Sequence, residues 1–206
     1  MIQFTSFFLS IFFFFFFFLF LNPTNSPMVA ATHPDIILET CRRCAKGDPN
    51  LNYALCVESL ASVPKSHHSD VRGLAIVAVK LSKAKMKHAK SMVKKLLKAK
   101  PMGRYMKNCL LTCKDIYSDS ISNLKDSLKA IKSGQYKDAN IQISGAVDAP
   151  GNCEDSFQDG NIKSPLIGEN KDLFGLAVIA LGITALLGHV AHLTILQRRF
   201  AGAVFY

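Results

Sequence analysis

Tryptophan is absent from this chain, and formal charge is absent from its first 31 residues. Outside that segment phenylalanine is scarce too, leaving Phe157, Phe174, Phe200 and Phe205. Few aromatic rings are therefore available to interleave with basic residues, so nucleic acid is not an expected partner despite the positive charge. The one Asn-x-Thr triplet, Asn22-Pro23-Thr24, is blocked by its proline, so N-glycosylation is not expected. Strand signals are nearly absent as well, which sets aside β architectures. His33, His67, His68, His88, His189 and His192 fall at no metal-ligand spacing with carboxylates. No nucleophile–base arrangement can be proposed from spacing. The expectation is a non-enzymatic chain with no cofactor and no metal.

The uncharged N-terminus contains an unbroken phenylalanine run from Phe12 to Phe18 inside an apolar stretch over residues 7–21. Pro23 and Pro27 break that stretch, and Val29-Ala30-Ala31 offers the small residues a signal peptidase reads. Residues 1–31 are expected to be a signal peptide cleaved after Ala31; the competing reading is an uncleaved anchor. Export places the remainder in an oxidising compartment, where paired cysteines act as structural staples. The destination would be extracellular, in the apoplast, with the vacuole as an alternative. Every charged residue lies beyond Ala31, so the whole net charge of +10 belongs to the mature chain. At that length one domain with a substantial core is expected.

Helical signals recur along the mature chain. A short apolar segment from Asp35 to Glu39 runs into Cys41. Asp48-Pro49 reads as an N-cap with proline at the first helical position, opening a helix with Leu51, Leu55 and Leu60 that ends before Pro64. Ser69 or Asp70 caps a long helix that Pro101 closes. Leu74, Val77, Leu81, Ala84, His88, Met92 and Leu96 are its expected stripe. Its other faces are crowded by Lys80, Lys83, Lys85, Lys87, Lys90, Lys94, Lys95, Lys98 and Lys100. A second long helix is expected from about Arg104 to Ser133, with Tyr105, Cys109, Cys113, Ile116 or Tyr117, Ser120, Leu124, Leu128 and Ile131 inward. Gly134 suits the position past its end. A third begins near Tyr136 and carries Ala139, Ile143 and Val147, with Pro150-Gly151 as an interruption or irregular turn. Residues 161–170 read as a loop, and a strongly apolar fourth helix starts near Lys171. Its apolar stretch is followed by Gln197-Arg198-Arg199 and could be taken for a stop-transfer span. The fourth core helix of a bundle is the preferred reading. An all-α, up-and-down four-helix bundle preceded by a helical hairpin results.

Six cysteines fall in two frames. Cys41 and Cys56 bracket CRRCAKGDPNLNYALC, and Cys113 and Cys153 bracket a helical stretch, with Tyr117 one turn after the first and Glu154-Asp155 after the second. With Asp35-Ile36-Ile37, Pro49-Asn50-Leu51-Asn52-Tyr53, Cys56-Val57-Glu58-Ser59-Leu60, Asp70-Val71-Arg72-Gly73, Asp138-Ala139-Asn140, Ser164-Pro165 and Glu169-Asn170-Lys171-Asp172, the ordered series resembles the plant invertase and pectin methylesterase inhibitor family. Within it the chain is similar to the subgroup described as invertase inhibitors, which includes pollen allergens. The resemblance implies disulfides Cys41–Cys56 and Cys113–Cys153. It implies an inhibitor domain over residues 32–188, with a hairpin over 32–66, a bundle over 67–188, and a tail at 189–206 past the usual family end. It implies inhibition by one-to-one occupation of the active-site cleft of an acid invertase or a pectin methylesterase. Where invertase-directed members carry Pro-Lys-Phe between the second and third long helices, this chain reads Gly134-Gln135-Tyr136-Lys137. Gln135, Tyr136 and Lys137 are accordingly the candidate target-binding residues. The fates of Cys44 and Cys109 stay open between mutual pairing, free thiols and a bridge to another chain.

The lysine-rich helix is the strongest electrostatic feature, with Lys83, Lys87 and Lys94 as its candidate face. Such a run is usually a solvated surface; an acidic partner, demethylated pectin or a carboxylate-lined cleft, is the sharper reading. The alternative function class is a basic saposin-like module that binds membranes or anionic wall polymers. After signal cleavage a membrane partner is not expected.

Overall fold

The computed structural model describes the backbone of residues 35–99 and 101–203, and side chains as far as His189. The expected signal peptide, residues 1–31, lies outside the described residues, as does Lys100. Among the described residues six α-helices follow one another: α1 (Ile36–Gly47), α2 (Tyr53–Ala61), α3 (Val71–Ala99), α4 (Arg104–Lys132), α5 (Tyr136–Gln158) and α6 (Ile167–Ala203). A 3₁₀ turn, Pro64–His68, links α2 to α3. No strand occurs among the described residues. Helices α3 to α6 pack in cyclic order, each against the next and α6 back against α3, so the bundle is up-and-down. The α1–α2 hairpin leans on α3 and α6.

Local chemistry explains most helix ends. The Asp35 carboxylate accepts from Ile37 N at 2.8 Å and starts α1. Asp70 does the same for Gly73 N at 2.7 Å and starts α3. The expected start of α2 is corrected. Asp48 instead accepts from Asn50 N within a turn, and α2 begins at Tyr53, where Asn52 caps Leu55 N at 2.9 Å. The start lies four residues later than expected, and Leu51 in the intervening turn is buried. At the end of α4, Gly134 takes φ +74°, Gln135 N donates to Ala130 O and Gly134 N to Ile131 O. That pair of bonds is a Schellman cap, and it needs a residue that tolerates the left-handed region.

The inward face of α4 is as expected: Cys109, Cys113, Tyr117, Ser120, Leu124, Leu128 and Ile131 are buried, and Tyr105 alone is exposed. The stripe of α3 is corrected in part. Leu74 and Val77 of the expected stripe are buried, together with Ala75, Ala78, Val79, Ser82, Met86, Ala89 and Val93, while Leu81, Met92 and Leu96 are half-buried and Ala84 and His88 are exposed. Four of the nine buried positions are alanine or serine, a signal that a search for large apolar side chains passes over. Helix α5 runs uninterrupted through Pro150, which is buried. An interior proline forfeits a backbone hydrogen bond at a cost of about 3 kcal/mol. Burial of Ala146, Ala149, Cys153 and Phe157 around it, and the disulfide at Cys153, hold the helix across that defect.

Helix α6 starts at Ile167, a turn earlier than expected, and its backbone continues past residue 188 to Ala203, so no helix end marks the start of the expected tail. The segment Ile167–His189 is long and apolar enough to cross a membrane, with mean hydropathy 1.8. In this fold Leu173, Ala177, Ala180, Ile183 and Thr184 are buried in the core. Gly175 and Gly182 lie under Leu55 and Leu51 of the hairpin side, so α6 packs on the core along one face and on the hairpin along another, while Ile167 and Phe174 stay exposed.

Candidate functional site

Two disulfides set the frame. Cys41–Cys56 joins α1 to α2 with the Cα atoms 5.8 Å apart, and Cys113–Cys153 joins α4 to α5 at 4.8 Å. Closing a loop of about 15 residues is worth about 3 kcal/mol, which a two-helix hairpin cannot obtain from burial alone. Cys44 and Cys109 are both buried free thiols. Burial pushes Cys44 up to about 11, with Arg43 pulling weakly the other way. Cys109 donates to Ser156 O at 3.0 Å. With Cys41 and Cys113 committed to separate disulfides, no four-thiolate centre can form.

Around Cys113–Cys153 lies a polar knot that sequence reasoning missed. The Tyr117 hydroxyl, fully buried, donates to Asn170 Oδ1 at 2.5 Å. Asn170 Nδ2 donates to Glu154 Oε1 at 2.5 Å, and Ser164 Oγ donates to the same oxygen at 2.8 Å. Leu166 N donates in turn to Ser164 Oγ. Helices α4, α5 and α6 and the loop before α6 are thereby tied at one end of the bundle. Burial, first of all, raises the Tyr117 pKa; Glu154 and Glu169 add to the rise and the Asn170 bond opposes it. The motif residues Tyr117, Glu154, Ser164 and Asn170 were each noticed in the sequence, but nothing in their spacing says that they meet.

The candidate target-binding residues sit at the opposite end. Gln135 precedes α5, and Tyr136 and Lys137 are its first two residues. Gln135 and Lys137 are exposed. Tyr136 is half-buried and packed on the core edge, with its Cβ close to where a side chain on Gly188 of α6 would begin. The third long helix begins at Tyr136, as expected, and the Schellman turn delivers the ring directly into it. Gln135 closes the turn and Tyr136 and Lys137 open α5, with the two polar side chains exposed.

The lysine face divides. Lys85 turns toward α6, 3.1 Å from Glu169 and 2.9 Å from Asp172, and His88 Nδ1 lies 2.9 Å from Glu169. Lys83 turns toward α4, within reach of Lys125 and Lys132, and Lys87 is exposed one turn on. Partial burial, then the charges of Lys87, Lys125, Lys80 and Lys132, pull the Lys83 pKa below the usual lysine value. Lys94 is exposed farther along α3. Beside the hairpin, a cleft of about 300 Å³ opens between α1 and α6, with Cys44, Leu181, Gly182 and Leu186 at its walls and Arg43 and His189 at its mouth.

Comparison with known proteins places this architecture. The family model described as "Plant invertase/pectin methylesterase inhibitor" matches residues 35–183. The "Putative invertase inhibitor" of Platanus orientalis is 37% identical over 155 residues, covering 75% of this chain and 91% of that protein. A second protein of that name, from Platanus acerifolia, is 36% identical over 184 residues, covering 89% and 98%. "Pectinesterase inhibitor 12" of Arabidopsis thaliana is 35% identical over 158 residues, covering 76% and 90%. Among solved structures, a mutant form of a pectin methylesterase inhibitor from Arabidopsis superposes with TM-score 0.60 at 21% identity. It covers 71% of this chain and 95% of that one, and supports the fold. The saposin-like alternative is thereby set aside, and the chain belongs to the plant invertase/pectin methylesterase inhibitor family, whose members are inhibitors and not enzymes.

Proposed function

We propose that this chain is a secreted inhibitor that occupies the active-site cleft of an acid invertase, reversibly and one-to-one. The observation that carries this reading is the likeness to the two Platanus proteins named for invertase inhibition, one of them aligned over 89% of this chain. Likeness to proteins named for pectinesterase inhibition is nearly as strong, so pectin methylesterase is the alternative target. The two disulfides support passage through an oxidising compartment, and hence the signal-peptide reading of residues 1–31 and an extracellular or vacuolar destination. No cofactor enters this account.

The start of α5 at Gln135, Tyr136 and Lys137 is the proposed contact. A pre-ordered helix start loses little entropy on docking, and Gln135 and Lys137 present polar groups outward. Tyr136 contributes the part of its ring left open. The test is an inhibition constant on invertase for wild type, Lys137→Glu and Tyr136→Ala. Truncating an aromatic anchor costs about 2 kcal/mol or more, a weakening of at least about thirtyfold. Because Tyr136→Ala also removes core-edge packing, Lys137→Glu provides the arm that leaves the fold untouched. Unchanged inhibition constants in both variants would place the contact elsewhere on the molecule.

A further inference from the structure

Helix α3 carries no Asp or Glu between Val71 and Ala99. Lys80, Lys83, Lys87, Lys90, Lys94 and Lys98 recur on it at steps of three and four, so they share one face. On the antiparallel neighbour α4, Lys107, Lys114, Lys125 and Lys132 are separated by seven, eleven and seven residues, spacings that also return to one face. The two rows border one groove. Lys83 lies within electrostatic reach of Lys125 and Lys132 across it, and Arg72 donates to the Lys132 carbonyl beside its end. Among the described residues Lys114 has an acidic neighbour, Asp115 at 3.4 Å; the other nine lysines make no ion pair. Asp115, Asp119 and Asp126 of α4 stand about a quarter turn or more from its lysine row. From Lys80 to Lys98 the groove is about 27 Å long.

We propose that the α3–α4 groove binds a linear polycarboxylate, a polyuronate chain of the de-esterified pectin type, laid along the two lysine rows. Repeating single positive charges on a straight double row match a polymer with a repeating single negative charge. A folded acidic protein would call for a buried aromatic or arginine anchor at the centre of the patch, and the rows contain none. A lipid surface would call for apolar side chains to insert. Among the described residues the exposed large apolar ones are Leu38, Tyr53, Tyr105, Ile141, Ile167 and Phe174; Tyr105 alone is on α3 or α4, on the side of α4 away from the lysine row. Single-stranded nucleic acid would call for stacking rings, also lacking along the groove. Hydrolysis of methyl esters by a pectinesterase, the enzyme for which several relatives' inhibition is named, converts a neutral pectin chain into such a polycarboxylate. The surface therefore reads the product of that chemistry, and it does so whichever enzyme the chain inhibits.

The experiment measures binding of the full chain to polygalacturonate, to highly methyl-esterified pectin and to duplex DNA at low and moderate salt. Wild type is expected to bind polygalacturonate, to lose that binding as salt rises, and to ignore the methylated polymer. The variant Lys83→Glu/Lys87→Glu/Lys125→Glu is expected to weaken it by about tenfold or more. A control with the same net-charge change away from the groove, Lys46→Glu/Lys163→Glu/Lys171→Glu, is expected to bind as wild type does. Circular dichroism verifies that both variants remain helical. Equal loss in the two variants would mean that net charge and not the groove governs binding, and would overturn the proposal. So would equal affinity for methylated pectin, tighter binding to DNA than to polygalacturonate, or no binding to polygalacturonate at all.

Discussion

Replacing Tyr117 by phenylalanine deletes one oxygen from the centre of the buried knot and nothing else of consequence to packing. The hydroxyl is the donor that satisfies Asn170 Oδ1. Asn170 is 3% exposed, so water cannot take its place. The net worth of the bond is about 1 kcal/mol, and leaving the amide oxygen unpaired raises the loss to about 1–3 kcal/mol. For a domain of this size each kcal/mol moves the melting temperature by about 2–4 °C, so a loss of about 2 kcal/mol lowers it by about 4–8 °C. Asn170→Leu should cost more, because it orphans the Tyr117 hydroxyl and releases Glu154 from one of its two donors. In the double variant the losses should fall short of additivity by about 1 kcal/mol. The pH dependence follows from the raised tyrosine pKa. The folded state holds the phenolic proton more tightly than the unfolded state does. Its contribution is therefore constant below the unfolded value of about 10 and declines as pH rises above it. Tyr117→Phe should flatten that alkaline decline. Thermal melts of the single and double variants at neutral and alkaline pH check all of this. A Tyr117→Phe protein with an unchanged melting temperature, or strictly additive losses, would refute the view that the knot holds this end of the bundle.

Other consequences are simpler to test. Cys44, with its pKa pushed up to about 11 by burial, should resist thiol-specific reagents in the folded chain at neutral pH and react at an ordinary rate in denaturant. Labelling in the folded state at the rate of a free thiol would contradict its placement. A side chain at Gly182 would meet Leu51 Cδ1 at 2.9 Å, so Gly182→Val should push the hairpin off α6 and lower stability by about 1–3 kcal/mol. The loss should appear as faster amide exchange in α1 and α2 before the bundle is affected; an unchanged exchange pattern would mean that the hairpin is not seated there.

How far the fold can be read from the residues differs from helix to helix. In α4 large apolar side chains fall at regular helical steps between charged ones, and the inward face is as expected from Cys109 to Ile131. In α3 the expected stripe holds at Leu74 and Val77, but farther along Ser82, Met86, Ala89 and Val93 face the core where Ala84 and His88 were expected, and Leu81 lies at its edge. Composition weights bulk, whereas a close helix contact selects smallness. At Asp48-Pro49 the local signal for a helix start is genuine, but a turn there lets Leu51 reach the core. Pro150 is a local breaker that tertiary packing overrides. The candidate site was legible in part. Gly134 announces the turn and Gln135–Lys137 follow it, but the half-burial of Tyr136 comes from packing against a core edge built by distant parts of the chain, with Gly188 of α6 nearby, fifty-two positions away in sequence. The pairing of Lys85 with Glu169 and Asp172, and the facing of Lys83 toward α4, likewise depend on which helices are neighbours. The polar knot was illegible for the same reason, since its members come from three helices and a loop.

The most direct test of the account is a titration of the purified mature chain against an acid invertase and a pectin methylesterase, assayed in parallel at acidic pH. Stoichiometric inhibition of invertase, saturating at one inhibitor per enzyme and reversed on dilution, is the predicted result. Inhibition of pectin methylesterase with invertase unaffected would contradict the choice of target, and inhibition of neither would contradict the inhibitory function itself.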